Sequence, residues 1–174
     1  MQMTPAVEKY VLHWGEMGTR WGTNRTVAQI QALLYLSPKP MHADEIVELL
    51  SVARSNVSTS IRELQSHGLV RMTHVLGDRR DYFESQKDVW DLFKAVLDGR
   101  KQREVDPTVT TLRECLEELD ADGEPDEFTK KRLEDMLDFF ETMTSGYEQI
   151  RSMSKPQLKK LAKLGNKLQK LLGG

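Results

Sequence analysis

The sequence predicts a mainly α-helical chain carrying one small β-hairpin, and three observations predict it. Apolar residues recur at spacings of three and four along most of the 174 positions. One stretch alone, "LVRMTHV" followed by "LGDRR" and "DYFES", alternates apolar and polar residues around a glycine-containing turn. Just before it, "SVARSNVSTSIRELQSHGLV" (Ser51 to Val70) has helical spacing but a face of short polar side chains. Three helices, a polar-faced helix, a hairpin and a long helical tail are the order of a winged helix-turn-helix with a helical region appended.

Thr4-Pro5 predicts a capped first helix, with proline in the first turn. Val7, Val11, Trp14, Gly18 and Trp21 share its inner face. A second helix starts near Asn24 or Thr26, buries Val27, Ile30, Leu33 and Leu34, and stops before Pro38-Lys39-Pro40. "HADEIVELL" is a short third helix burying Ile46, Leu49 and Leu50. The fourth runs roughly from Ser55 to His67, and Gly68 sits where a left-handed C-terminal cap is wanted. A two-stranded hairpin with arginines at its tip follows. After Asp88 the helical stripe resumes at Val89, Phe93, Val96 and Leu97. Asp106-Pro107 reads as a cap and first-turn proline where the helix kinks or restarts, and Val109, Leu112, Leu116 and Leu119 continue the stripe. "DGEPD" is a helix–helix turn. Leu133, Met136, Leu137, Phe140, Met143 and Tyr147 line the next helix. Leu158, Leu161, Leu164, Leu168 and Leu171 line the last.

Composition narrows the class. The chain suits one globular domain or two small ones. Its 25 Lys and Arg nearly balance 27 Asp and Glu, so bulk charge does not announce a nucleic-acid partner. The region from Glu104 to Glu141 is acidic, whereas Lys155 to Lys170 holds six lysines and no acid. The single Cys115 excludes an internal disulfide framework and fits a reducing compartment. No run approaches the ~18 apolar residues of a membrane span, and the N-terminus lacks a secretion pattern. The expectation is a soluble cytoplasmic protein without a membrane association. His13, His42, His67 and His74 show no metal-ligand spacing, and "GEMGTRWG" lacks the strand and lysine of a phosphate loop. No serine lies in a nucleophile elbow. No catalytic residue, metal or cofactor is expected, and no enzyme.

The polar-faced helix points to a partner. With Val57 facing the core, Ile61 and Leu64 fall within ~40° of it. The opposite face is Ser55, Thr59, Arg62 and Ser66, flanked by Asn56 and Ser58. Short hydroxyl and amide groups let a helix backbone approach closely, and they bond phosphates or base edges. Arginine grips guanine with two bonds. Such a face suits the major groove of double-stranded DNA. Ala53 occupies the N-cap position, where serine would contribute roughly 1 kcal/mol; Ser55 is the alternative cap. Arg79 and Arg80, after Gly77-Asp78, project from the hairpin tip and suit a narrow minor groove or its phosphates. The plain alternative is a solvated tip.

These residues resemble a known family. "HADEIVELLSVARSNVSTSIRELQSHGLVRMTHVLGDRRDYFES" is similar to the winged-helix core of MarR-type bacterial regulators, and most to their GbsR-like group. "WGEMGTRWGTNRTVAQIQALLYLSPKPM", "GDRRDYFES" and "RKQREVDPT" resemble that group's lead-in, wing and linker. The resemblance covers roughly residues 7 to 110. It implies a homodimeric, sequence-specific transcription factor, usually a repressor, with some members answering to choline-like solutes. Carried over residue by residue, Arg54, Ser55, Asn56, Ser58, Thr59 and Arg62 become the recognition helix, and Arg79 and Arg80 the wing. Ala53 departs from the serine often found there.

The expected organisation is therefore a DNA-binding domain over residues 1–87 and a helical dimerisation region over 88–174. A single winged helix reads few base pairs, so a two-fold pair reading a pseudo-palindrome is expected. Val7, Val11, Leu158, Leu161, Leu164 and Leu168 are the dimerisation candidates; the alternative is that these stripes pack on their own chain. Trp14, Trp21 and Trp90 are candidates for holding a quaternary ammonium effector by cation–π attraction, against ordinary hydrophobic packing. The lysine run is either the solvated side of its helix or a phosphate track. Cys115 is either inert core or a redox sensor. The rival function is a winged-helix protein–protein interaction module without DNA binding. It would call for large apolar side chains on the outward helix face, and the sequence places none there.

Overall fold

The computed structural model describes residues 1–121 and 127–172, with side chains described to Leu164 except Ala162. The expected 122–126 turn and the Leu168 and Leu171 side chains lie outside the described residues. The chain forms two compact units, Met1–Val96 and Leu97–Gly174.

In the first unit, Thr4 caps α1 (Pro5–Arg20) by accepting the Val7 N–H at 3.4 Å, and Pro5 occupies the first turn. α1 lies against α2 (Arg25–Leu36), and Gly15 and Gly18 allow the approach: a Cβ on Gly18 would stand 2.4 Å from the Ala28 Cβ. Asn24 caps α2 through its side-chain oxygen, 2.8 Å from the Thr26 nitrogen. α2 is the hub, with Ile30, Leu33 and Leu34 fully buried. Burying each such side chain stabilises the fold by about 1.5–3 kcal/mol. α3 (Ala43–Leu50) adds Ile46 and closes on Ser51, which takes the left-handed conformation at φ 52°. α4 (Arg54–Ser66) adds Val57, Ile61 and Leu64 to the same core. Gly68, at φ 66°, ends α4, and the Leu69 N–H turns back to the Leu64 carbonyl at 2.9 Å.

The sheet has one strand more than the sequence predicts. β1 (Met41–His42), β2 (Val70–Thr73) and β3 (Tyr82–Ser85) pair antiparallel in the order β1-β3-β2. Met41 opposes Phe83 on one side of β3, and Met72 opposes it on the other. Two residues carry no readable alternation, so β1 was invisible beside the proline breaker. Two long-range ties fix the sheet to α2. The Gln31 amide donates to the Ser85 hydroxyl at 2.7 Å. The Lys87 ammonium donates to the Leu34 and Ser37 carbonyls at 2.8 and 2.6 Å, closing the C-terminal end of α2.

Val11 is only 2% exposed and belongs to this core. The close approach of α1 to α2 covers the side chain within its own chain, the alternative weighed for this stripe. Val7 packs half-buried against the same core.

α5 (Val89–Arg100) spans the boundary between the units. A five-residue π-helical stretch, Lys101–Val105, follows and leads into α6 (Asp106–Ala121). The helix does change at Pro107, but Asp106 is not a cap. Its backbone is helical, its N–H bonds the Lys101 carbonyl, and its carboxylate takes the Lys101 ammonium at 2.7 Å. α7 (Glu127–Ser152) packs on α6, with Arg113 bonded to Glu141 at 2.7 Å. α8 (Lys155–Leu172) starts beyond Ser154, whose N–H meets the Gln157 side chain at 2.7 Å.

The expected α7 stripe divides in two. Leu133, Leu137, Phe140 and Tyr147 are half-buried, while Met136 and Met143 join Phe139 on an exposed face. On α8, Leu161 and Leu164 are exposed, whereas Leu158 is 6% exposed. Leu158 thus takes the alternative weighed for its stripe in this single chain, packing within it. Among the described residues no helix is long and apolar enough to cross a membrane.

Candidate nucleic-acid interface

α4 presents the face its sequence promised. Val57, Ser60, Ile61 and Leu64 turn inward. Arg54, Ser55, Asn56, Thr59, Arg62 and Ser66 are exposed, and Ser58 is half-buried. The helix begins at Arg54 with Ala53 as N-cap and no side-chain cap, so Ser55 lies inside the first turn. The first-turn amides therefore face outward without a side-chain acceptor at Ala53, where an anion's oxygens fit.

A groove of about 490 Å³ joins α4 to the wing. Arg54, Ser58 and Arg62 line one side; Arg79 and Arg80 line the other, with His42 at the α3 end. Five of the eight expected DNA contacts thus share one concavity. Ser55, Asn56 and Thr59 stand on the adjoining exposed face of α4.

The arginines differ in what restrains them. Arg54 is paired with Asp44 of α3. Arg62 lies back along its helix, with long contacts of 3.4 Å to the Ser58 carbonyl and the Thr59 hydroxyl. Both are exposed and weak enough to exchange for a phosphate or base. Arg79 is exposed and makes no ion pair among the described residues. Arg80 is held. Its Nε donates to both Asp78 oxygens at 3.0 Å, its backbone N–H donates to Asp78 Oδ1 at 2.9 Å, and a third nitrogen meets Asp78 again. Its guanidinium also reaches the Tyr82 hydroxyl at 3.2 Å and His42 Nε2 at 2.9 Å. The Arg80 side chain, then its backbone N–H and the Tyr82 hydroxyl, hold the Asp78 carboxyl far below the usual carboxylate range. The same bonding to Asp78 raises the Arg80 pKa, and donation to Asp78 raises that of Tyr82.

The sequence reading missed His42, Asp44, Asp78 and Tyr82 as members of this site. Asp78 carried a signal: an aspartate two residues before Arg80 at a turn is an Asx-turn pattern, which fixes the arginine backbone. Nothing local announced His42, which reaches the wing through β1.

The three tryptophans do not form one cluster. Trp14 stacks on Tyr10 at 5.5 Å and meets Trp21 edge-on at 6.1 Å, whereas Trp90 meets Phe93 edge-on at 6.5 Å. Among the described residues no ring contact links Trp90 to the other two, and no group of His, Cys, Asp and Glu is placed to hold a metal ion.

Comparison with known proteins bears on this geometry. Residues 21–81 match the MarR family model. The HTH-type transcriptional repressor GbsR of Bacillus subtilis (strain 168) is 29% identical over 111 aligned positions, covering 59% of this chain and 61% of that protein. YvaV of the same organism, named as a putative HTH-type transcriptional regulator, is 23% identical over 129 positions, covering 69% and 73%. This chain spans less than two thirds of the length of the GbsR relative. The crystal structure of a transcriptional regulator superposes with a TM-score of 0.71 over 84% of this chain and 96% of that one, at 22% identity. At that identity the likeness speaks for the fold alone.

Proposed function

We propose that this chain is a MarR-type winged-helix protein of the GbsR-like group and, from that premise, a DNA-binding transcriptional regulator. The observation that carries the reading is the groove between α4 and the wing, which gathers Arg54, Ser58, Arg62, Arg79 and Arg80 on one surface. α4 lies in the major groove. Ser55, Asn56, Ser58 and Thr59 approach bases and phosphates closely, and Arg62 reads a base edge. Arg54 and Arg79 neutralise phosphates, and Arg80 is the fixed wing contact.

The functional form is a homodimer acting in the cytoplasm as a repressor on a pseudo-palindromic operator. Support for the dimer comes from the exposed apolar face of α7 at Met136, Phe139 and Met143, and from Leu161 and Leu164 on α8. Residues 1–87 bind DNA and 88–174 dimerise. An effector of quaternary ammonium type is proposed on the Tyr10–Trp14–Trp21 aromatics, by analogy with the group. The rival interaction-module reading finds no docking anchor on α4, whose exposed residues are all polar or charged except Ala53 at its cap.

The test is retention on duplex DNA at low salt, followed by selection of bound duplexes from a random pool. The expected result is steep loss of binding as salt rises and a recovered two-fold sequence. Absence of retention at low salt refutes the proposal.

A further inference from the structure

His42 sits where two demands meet. Its ring is one side of the N-terminal cap of α3: Nδ1 faces the Glu45 N–H at 3.4 Å, and the Glu45 carboxylate accepts the His42 N–H at 3.0 Å. Its Nε2 faces the wing, 2.9 Å from Arg80 Nη1. Both neighbours are donors. A neutral imidazole offers one acceptor nitrogen, and the guanidinium cannot give up its proton. The shorter contact, to Arg80, therefore takes Nε2 as acceptor. The ring proton then lies on Nδ1, which forgoes the longer contact from the Glu45 N–H and faces Asp44 Oδ2 at 3.8 Å.

We propose that His42 is a positioning residue for Arg80, holding the wing arginine in the DNA-facing groove only while the imidazole is neutral. The inference rests on the DNA-binding reading and adds regulation of that site by pH. On protonation, Nε2 becomes a donor, and an imidazolium stands against a guanidinium. The groups facing the ring set its new orientation. From α3, Asp44 and Glu45 attract the imidazolium, at 3.8 and 3.7 Å; Arg54 already engages Asp44. From the wing, Arg80 repels it, Asp78 stays bound to Arg80, and Tyr82 meets the ring edge-on at 5.5 Å. The ring turns toward its carboxylates, and Arg80 keeps Asp78 and Tyr82 but loses its third support. Specific binding weakens once the ring carries its second proton.

The experiment compares a duplex recovered by selection with poly(dI-dC), by fluorescence anisotropy from pH 5.5 to 8. For the wild type, the preference for the selected duplex should fall by about threefold to tenfold at the acid end, the worth of one hydrogen bond. His42→Gln, an acceptor that does not titrate, should keep the high preference at every pH. His42→Ala should show the low preference throughout. In the free protein, the Arg80 Nε–H NMR signal should move with the midpoint of the His42 ring. A wild-type pH profile unchanged in His42→Gln overturns the proposal, as does an Arg80 signal indifferent to the His42 titration. Failure of the wild type to bind either duplex at any pH, by contrast, defeats the DNA-binding reading and this one with it.

Discussion

Gly18→Ala should destabilise the first unit, and the amount can be worked from one distance. The new methyl would lie 2.4 Å from the Ala28 Cβ. Ordinary carbon contacts lie at ~3.5–4.0 Å, so α1 and α2 must separate by about 1 Å or more. Both carbons are fixed to helix backbone and neither can rotate aside. Overpacking of this kind costs up to about 3 kcal/mol. Better helix propensity for alanine returns about 1 kcal/mol. The net expectation is a loss near 2 kcal/mol, which lowers the melting temperature by about 8 °C or more. Urea unfolding followed by circular dichroism measures it. Gly146→Ala on α7 is the control: among the described residues nothing beyond its own helical neighbours lies within 4 Å of its Cβ position, so it should stabilise by about 0.5–1 kcal/mol. Adding Ala28→Gly to Gly18→Ala should recover part of the loss, with a coupling of about 1–2 kcal/mol. A Gly18→Ala protein as stable as wild type, or a double mutant without coupling, refutes the packing argument.

Three predictions concern function. Arg62→Ala should weaken binding to a selected duplex by about 1–3 kcal/mol and relax preference at one base pair, read by repeating the selection with the variant. Arg79→Ala with Arg80→Ala should lower affinity and reduce the salt slope by about 0.9 for each phosphate no longer neutralised; an unchanged slope would remove the wing from the interface. Phe139→Glu with Met143→Glu places charge on the exposed face of α7 and should give monomers by light scattering, while persistent dimers would place the interface elsewhere.

Most of the fold could be read from residue spacing, because its long helices each bury a wide stripe. Val57, Ile61 and Leu64 announced α4, and Gly68 announced its end. The features that stayed hidden depend on residues far apart in sequence. β1 is two residues long and exists only because Tyr82 and Phe83 lie beside it. The α7 periodicity gave one broad stripe, but only the packed structure separates the covered Leu137 from the exposed Met136. Phe139 fell outside that stripe and proved to be part of the exposed face. In the candidate interface, side-chain types singled out α4 and the tip arginines. They did not reveal that Arg80 is restrained and Arg79 is not, since that distinction needs Asp78, Tyr82 and His42 in three dimensions.

The bond from Lys87 to the end of α2 has a mechanical consequence. One ammonium moors the root of the hairpin to the hub, while β1 braces β3 along its flank. The ribbon is thus held at its base and along one flank, and the span from Val75 to Arg79 lies beyond both supports. Neutralising that one amine, as acetylation does, would slacken the base and let the whole blade swing.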